Sequence, residues 1–333
     1  MFYLLSLLVL ALLVGSIFLA PLRSKVWVAF GFVAIAAIAV AAPSIGVLAG
    51  AEEIVLAREI PSMLGMGSLS IDPLSAIFLL IIAIAGVATM LYSHGYVGHY
   101  LTKKSSAHIS LHYTALATLI LSMMLVVMAD GGFLFLFAWE LMTIASFILI
   151  LFDAERAEVL RAALSYLIMM HVGFIFLVAG FVGLESISND TSFAALAHCF
   201  GQGKNLAIFI LFLLGFGMKA GIFPMHVWLP EAHPAAPSHI SAIMSGVMIK
   251  TGVYGILRVV SHMSAPEQIH VVGVIILAIG VVTGLWGVIL AAMQNDVKRL
   301  LAYSSIENIG VIFIGLGVAT LGQAAGNYMV PTI

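Results

Sequence analysis

Three charged side chains, Glu140, Lys219 and Lys250, lie deep within apolar runs of a chain that is only 8% charged. A carboxylate and two ammonium groups held away from water can take up and release a proton or a cation in response to one another. A lysine at the centre of a membrane helix costs ~2.5–3.5 kcal/mol to insert, which makes intramembrane ionisable groups functional candidates by default. Lys219 stands in Gly215-Phe216-Gly217-Met218-Lys219-Ala220-Gly221-Ile222-Phe223-Pro224. Pro224 has no N–H, so it leaves the Ala220 carbonyl without its helical partner. A membrane helix tolerates that only where the freed carbonyl meets protein or water. Gly217, Gly221 and Pro224 are therefore candidates for a helix break beside a lysine, in a polar cavity. Two plain alternatives stand beside this reading. Glu140 may be read as a lysine partner that merely pins two helices, and the proline as an ordinary kink.

Further titratable groups extend the pattern. His239, Gly246 and Lys250 share one helical face, because residues eleven apart return to within about 20° at 100° per residue. Tyr254 lies one turn beyond Lys250. His171 falls in mid-run, where it is either a relay or a packing histidine. Glu307 follows Tyr303-Ser304-Ser305-Ile306 and either joins a path, snorkels, or pairs with Lys298 or Arg299. The other histidines fall mostly in connections and offer no i,i+4 pair within a span beside carboxylates, so no metal site is expected. A single cysteine, Cys199, excludes a disulfide scaffold and an iron–sulfur site. No haem ligand pair or nucleotide-binding glycine loop is recognisable, so no cofactor is expected.

The elements that must position these groups follow from composition. The chain has 333 residues, is 63% hydrophobic and carries a net charge of −2. Soluble domains carry about 25% charged residues, which excludes that class, and the absence of a basic face excludes nucleic-acid binding. Apolar runs lie at Phe2–Ala20, Val26–Gly50, Leu74–Ser93, Leu111–Ala129, Gly132–Phe152, Leu160–Leu184, Leu206–His226, His239–His262, Ile269–Met293 and Leu300–Ala319. Each is long enough to cross ~30 Å of hydrocarbon as a helix, and none alternates with period two as a barrel strand would. The fold class expected is an all-α polytopic membrane protein of about ten spans. The first run lacks a basic leader and an A-x-A cleavage site, so it reads as a retained span. Alternating connections place Arg23, Lys25, Lys103, Lys104, Arg156, Arg161, Lys298 and Arg299 on one side, against Arg58, Lys204 and Arg258 on the other. Positive loops stay inside, so the N-terminus is expected outside. The longest connections are 51–72 and 185–205, and Ser192–Phe200 within the second reads as a surface helix.

Three stretches carry a family resemblance. They are Phe137-Ala138-Trp139-Glu140-Leu141-Met142-Thr143, then Gly217 to Val259, and Asn295-Asp296-Val297-Lys298-Arg299-Leu300-Leu301-Ala302-Tyr303-Ser304-Ser305-Ile306. Within the second, Pro224-Met225-His226-Val227-Trp228-Leu229-Pro230-Glu231-Ala232-His233 is the most specific. These resemble the antiporter-like membrane subunits shared by complex I, membrane-bound hydrogenases and multisubunit cation/proton antiporters. The stretch from Ala236 to Gly255 looks most like the large membrane subunit of the hydrogenase-4 and formate hydrogenlyase type. The likeness covers nearly the whole chain.

The resemblance implies a fold of about fourteen helices, with lead-in helices and then two inverted five-helix repeats, each holding a broken helix. On that frame 1–110 are lead-in helices, 111–262 form the first repeat, and 263–333 an incomplete second one. The family's glutamate matches Glu140, its broken-helix lysine Lys219, and its next-helix lysine Lys250. Ser245 departs from the complex I subunit with a lateral helix, which has a histidine there. The chain ends two helices into the second repeat, as a fragment, a truncated product or half of a split subunit would. The implied function is proton translocation in a hydrogenase or NADH–quinone oxidoreductase assembly, by a Glu–Lys pair and a lysine chain. A Na⁺/H⁺ antiporter subunit and a non-transporting scaffold are the alternatives. Implied partners are other membrane subunits, a peripheral redox arm, protons or Na⁺, and lipid, in the cell inner membrane.

Overall fold

The computed structural model describes residues 2–62, 65–201, 205–263 and 265–326. Lys204, counted above for orientation, and the tail 327–333 lie outside them. The apolar runs fold as helices α1 (Phe2–Leu19), α2 (Lys25–Leu48), α3 (Pro73–Gly98), α4 (Ser106–Met128), α5 (Gly132–Ile150) and α6 (Ala157–Ser188). They continue as α7 (Ala195–Gly201), α8 (Leu206–Ala220), α9 (Leu229–Ala235), α10 (Ser238–Ile243), α11 (Ile249–Ser261), α12 (Pro266–Ala292) and α13 (Val297–Ala324). Eight of the helical stretches are long and apolar enough to cross a membrane, with α10 and α11 counted as one, and α1 and α8 contribute shorter apolar helices. The chain is a multi-pass membrane protein whose spans are all helical.

Helix starts follow local chemistry. Asp72 and Ser105 cap α3 and α4 by accepting the N–H groups of Ser75 and His108, which satisfies donors that a helix start leaves free. Asp296 does the same for α13 through Arg299. In the connection between α1 and α2, buried Lys25 donates to the carbonyls of Ile17 and Phe18 at 3.0 and 3.1 Å, and so closes the end of α1.

The connection 51–72 is more than a loop. It forms an antiparallel hairpin of β1 (Ile54–Ser62) and β2 (Gly65–Ile71), and β2 pairs with a two-residue strand β3 (Ala129–Asp130) between α4 and α5. The same end of the molecule holds the 189–201 connection. There the Phe193 N–H donates to Asp130 at 2.7 Å and the Gly132 N–H donates to Thr191 at 3.1 Å. Arg258, near the end of α11, grips Asp72 with two nitrogens and Ser75 with one at 2.6 Å. The helix expected at Ser192–Phe200 appears as α7, with Leu196, Cys199 and Phe200 buried rather than on the surface.

The opposite end collects the basic connections. Lys104 bridges Asp153 at 3.3 Å and Glu155 at 2.9 Å, and Lys298 donates to the Ala236 carbonyl at 2.8 Å. These ties set which connections share a side, and the connections from 51–72 to 293–296 alternate between the two ends. α4, α5 and α11 form the enclosed centre. α2, α6, α12 and α13 turn Ile38, Ile175, Leu285 and Val311 outward.

Candidate functional site

The expected break in the seventh run is present but earlier than its proline. α8 ends at Ala220, and Gly221 leaves the helix at φ +75°, a conformation that only glycine adopts without strain. The chain has left the helix before Pro224, so the cap at Gly221, and not a lost proline hydrogen bond, makes the break. Pro224 sits in the non-helical stretch 221–228, and α9 completes the crossing. Partners for the freed backbone groups come from the protein. The Gly217 carbonyl accepts the N–H groups of Gly221 and Ile222, the Met218 carbonyl accepts the Trp228 indole N–H at 2.9 Å, and the Phe223 N–H donates to Thr283 at 3.1 Å. That satisfaction is what the bilayer interior demands.

Lys219 lies one residue before this break and is 1% exposed. Its ammonium donates to Thr143 Oγ1 and to the Tyr166 hydroxyl, both at 3.1 Å. It also stands 5.7 Å from the Trp139 ring centre and 5.6 Å from that of Tyr166, where aromatic faces attract a cation. The Tyr166 hydroxyl lies 2.5 Å from Ser146 Oγ, which in turn donates to backbone carbonyls of α5. Close approach holds α8 in place. A Cβ added at Gly252 of α11 would fall 2.5 Å from the Phe216 carbonyl oxygen, so α8 and α11 meet backbone to backbone.

Glu140 and Lys219 were expected to form an ion pair. They do not: no oxygen of Glu140 lies within 4.0 Å of the Lys219 ammonium among the described residues. The nearest basic side chain to Glu140 is His171, whose Nε2 approaches Oε1 to 3.1 Å. That contact lacks hydrogen-bond alignment, and both carboxylate oxygens, although buried, have no hydrogen-bond partner among the described residues. His171 Nδ1 lies 2.9 Å from the Leu167 carbonyl, which accepts only, so Nδ1 carries a proton and Nε2 faces the carboxylate. The link from Glu140 to Lys219 therefore runs along α5, where Thr143, one turn on from Glu140, takes the lysine's hydrogen bond.

The shared face on the next span is also corrected. Residues Met244–Met248 between α10 and α11 are π-helical. Such a bulge inserts an extra residue into the turn, so spacing at 100° per residue fails across it. His239 is buried against α3 and α4, Gly246 is exposed, and half-buried Lys250 turns back on the Ser245 carbonyl. Tyr254 is at the hairpin end, far from His239. Its hydroxyl donates to the Val127 carbonyl at 2.7 Å and accepts from Arg258 Nε at 2.8 Å. Glu307 lies half-buried on α13 facing α12 and makes no ion pair among the described residues.

Sequence reasoning missed Thr143, Ser146, Tyr166 and His112. Hydroxyl side chains are common in membrane helices and carry no signal of their own. The run read from Leu111 leaves His108 outside it, whereas α4 begins at Ser106, which puts His108 and His112 one turn apart on a helix. No group of three or more His, Cys, Asp or Glu residues that could hold a metal ion occurs among the described residues.

Comparison with known proteins places this geometry in a family. Residues 129–331 match the family described as "NADH:quinone oxidoreductase/Mrp antiporter, TM". Hydrogenase-4 component B of Escherichia coli is 38% identical over 259 residues, which cover 77% of this chain and 38% of that one. An uncharacterized protein of Mycobacterium tuberculosis is 40% identical over 262 residues, covering 78% of this chain and 39% of its own length. The chain thus spans less than half the length of these relatives. A chain of the archaeal membrane-bound sulfane sulfur reductase superposes with a TM-score of 0.81 at 20% identity, over 97% of this chain and 67% of that one. With its buried lysine at a helix break, and with a match that runs over more than half its length, this chain belongs to the NADH:quinone oxidoreductase/Mrp antiporter family.

Proposed function

We propose that the chain is a proton-translocating membrane subunit of a redox assembly of the hydrogenase or NADH–quinone oxidoreductase type. The observation that carries this reading is Lys219, a buried ammonium at a helix break held by two hydroxyls and two aromatic faces, beside the unsatisfied Glu140 carboxylate. Burial favours the neutral amine and a nearby carboxylate favours the ammonium. Movement of the Glu140–His171 pair relative to Lys219 would shift that balance, and each pKa unit corresponds to 1.36 kcal/mol. Lys219 would pass its proton through Thr143 and Tyr166, toward Lys250. Redox energy would come from partner subunits and a peripheral arm, in the cytoplasmic membrane. On this reading residues 111–262 act as one five-helix repeat with 263–333 belonging to a second, and the N-terminus faces outside.

The test is proton movement by the assembled complex in vesicles. Lys219→Ala should abolish it, because the carrier group is gone, while the complex still assembles. Wild-type proton movement in Lys219→Ala would end the reading. The family description also includes Mrp antiporters, which supports Na⁺/H⁺ exchange as the second reading. Dependence of proton movement on external Na⁺ would select it.

A further inference from the structure

The basic end contains a set of histidines that the Lys219 site does not use. His112 Nε2 of α4 lies 2.9 Å from His239 Nε2 at the start of α10. Both rings are buried, at 3% and 2% exposure, and the Nδ1 atom of each has no hydrogen-bond partner among the described residues. Two imidazoles in Nε2-to-Nε2 contact hold one proton between them, so one ring is the donor and the other the acceptor. The donor ring then has a bare Nδ1 and the acceptor ring a protonated one. One acceptor and one donor are thus left buried and unpaired, at opposite ends of a two-ring chain. Leaving such groups unmade costs about 1–3 kcal/mol each, and water is the partner that fits both.

A third histidine stands nearer the surface. His108, half-buried, is one helical turn before His112, and both rings lean on Phe152, with centroids 5.1 and 4.8 Å away. Glu155 at the surface lies within the electrostatic reach of His108. On the inner side His239 meets the Tyr96 ring at 5.0 Å, and Lys298 donates to the Ala236 carbonyl, three residues before His239, at 2.8 Å.

We propose that His108, His112 and His239 form the proton port of the basic end, carrying protons between bulk water and the buried lysines. The step balances without any co-reactant. A proton is taken up at the bare Nδ1 of His112, the Nε2–H of His112 passes to His239 Nε2, and the Nδ1–H of His239 is released inward. Each ring ends neutral in its other tautomer, and rotation of the rings, without back-transfer, resets the pair for the next proton. A second proton on the pair would place two cations in contact, so the port passes one proton at a time.

This inference rests on the proton-translocation reading, and the experiment separates the two. Proton movement by the reconstituted complex is measured for His112→Ala, His239→Ala and Lys219→Ala side by side, with and without added imidazole. Expected is a loss of about tenfold or more for either histidine variant, no further loss in the double variant, and partial recovery with imidazole only in the histidine variants. Wild-type rates in both histidine variants, with Lys219→Ala inactive, would overturn the port and leave the reading intact. A loss that imidazole does not restore, in variants that assemble normally, would also overturn it, because it marks a packing role. An active Lys219→Ala would overturn the reading itself.

Discussion

At the scale of single residues the protein separates a charge from the groups that serve it. Lys219 keeps its hydrogen bonds with neutral hydroxyls, while Glu140 waits nearby without one. Tyr166→Phe removes one acceptor from a buried ammonium and one side of the Ser146 contact. It should slow proton movement several-fold while Thr143 still holds the lysine, and a vesicle assay read against Lys219→Ala checks this. Glu140→Gln should also impair movement, and Glu140→Gln combined with Lys219→Ala should be no worse than Lys219→Ala alone, as for residues that act as a unit. Additive losses would mean that the two act separately. The charges themselves were legible in the sequence, because an ionised group in an apolar run is conspicuous. Their pairing was not. Which carboxylate meets which base depends on how α5, α6 and α8 rotate against one another, and no spacing along one helix encodes that.

At the scale of elements, breaks and close contacts decide where those groups point. Gly252→Ala would drive a methyl group against the α8 backbone, which has no flexible end to yield. Overpacking of this kind costs about 1–3 kcal/mol, so the variant should unfold several degrees lower and lose proton movement through displacement of Lys219. Thermal unfolding in detergent together with the vesicle assay tests both effects. The tie between Asp72 and Arg258 makes a prediction about pH. Burial alone would raise the Asp72 carboxyl, but the hydrogen bond and charge of Arg258 outweigh it and hold the group below the ordinary carboxylate range. A depressed value means that the contribution is complete above that range and is lost as pH falls through the folded value. The gap in unfolding temperature between wild type and Asp72→Asn should therefore be constant near neutrality and close below about pH 4. A gap that widens on acidification would contradict the assignment. Apolar runs were readable because they are local. The π-helical turn at Met244–Met248 and the β1–β2 hairpin were not. The first changes the turn inside one continuous apolar run, and the second is a strand pair in a connection whose further partner, β3, lies far along the chain.

At the scale of the whole molecule, the ties at each end fix which connections share a side, and the orientation proposed from the distribution of Lys and Arg is open to a labelling test. Single cysteines placed at Glu53 and Thr102, against the buried native Cys199, should react with impermeant reagent from opposite faces of the membrane. Glu53 should react from outside, and labelling of Thr102 from outside would reverse the orientation. The two ends also differ mechanically. At the hairpin end a ladder of backbone hydrogen bonds joins β1, β2 and β3, and a forked arginine fastens α11 to the start of α3. At the basic end the ties are long, single side chains such as Lys104 and Lys298. A ladder resists shear, whereas a lysine stem swivels. Any relative motion of the central helices would therefore work like a pair of tongs, riveted at one end and held only by side chains at the tips. A small slip beside the rivet would become a larger displacement at the tips, and that leverage would place the widest change in water access at the end where the histidines stand.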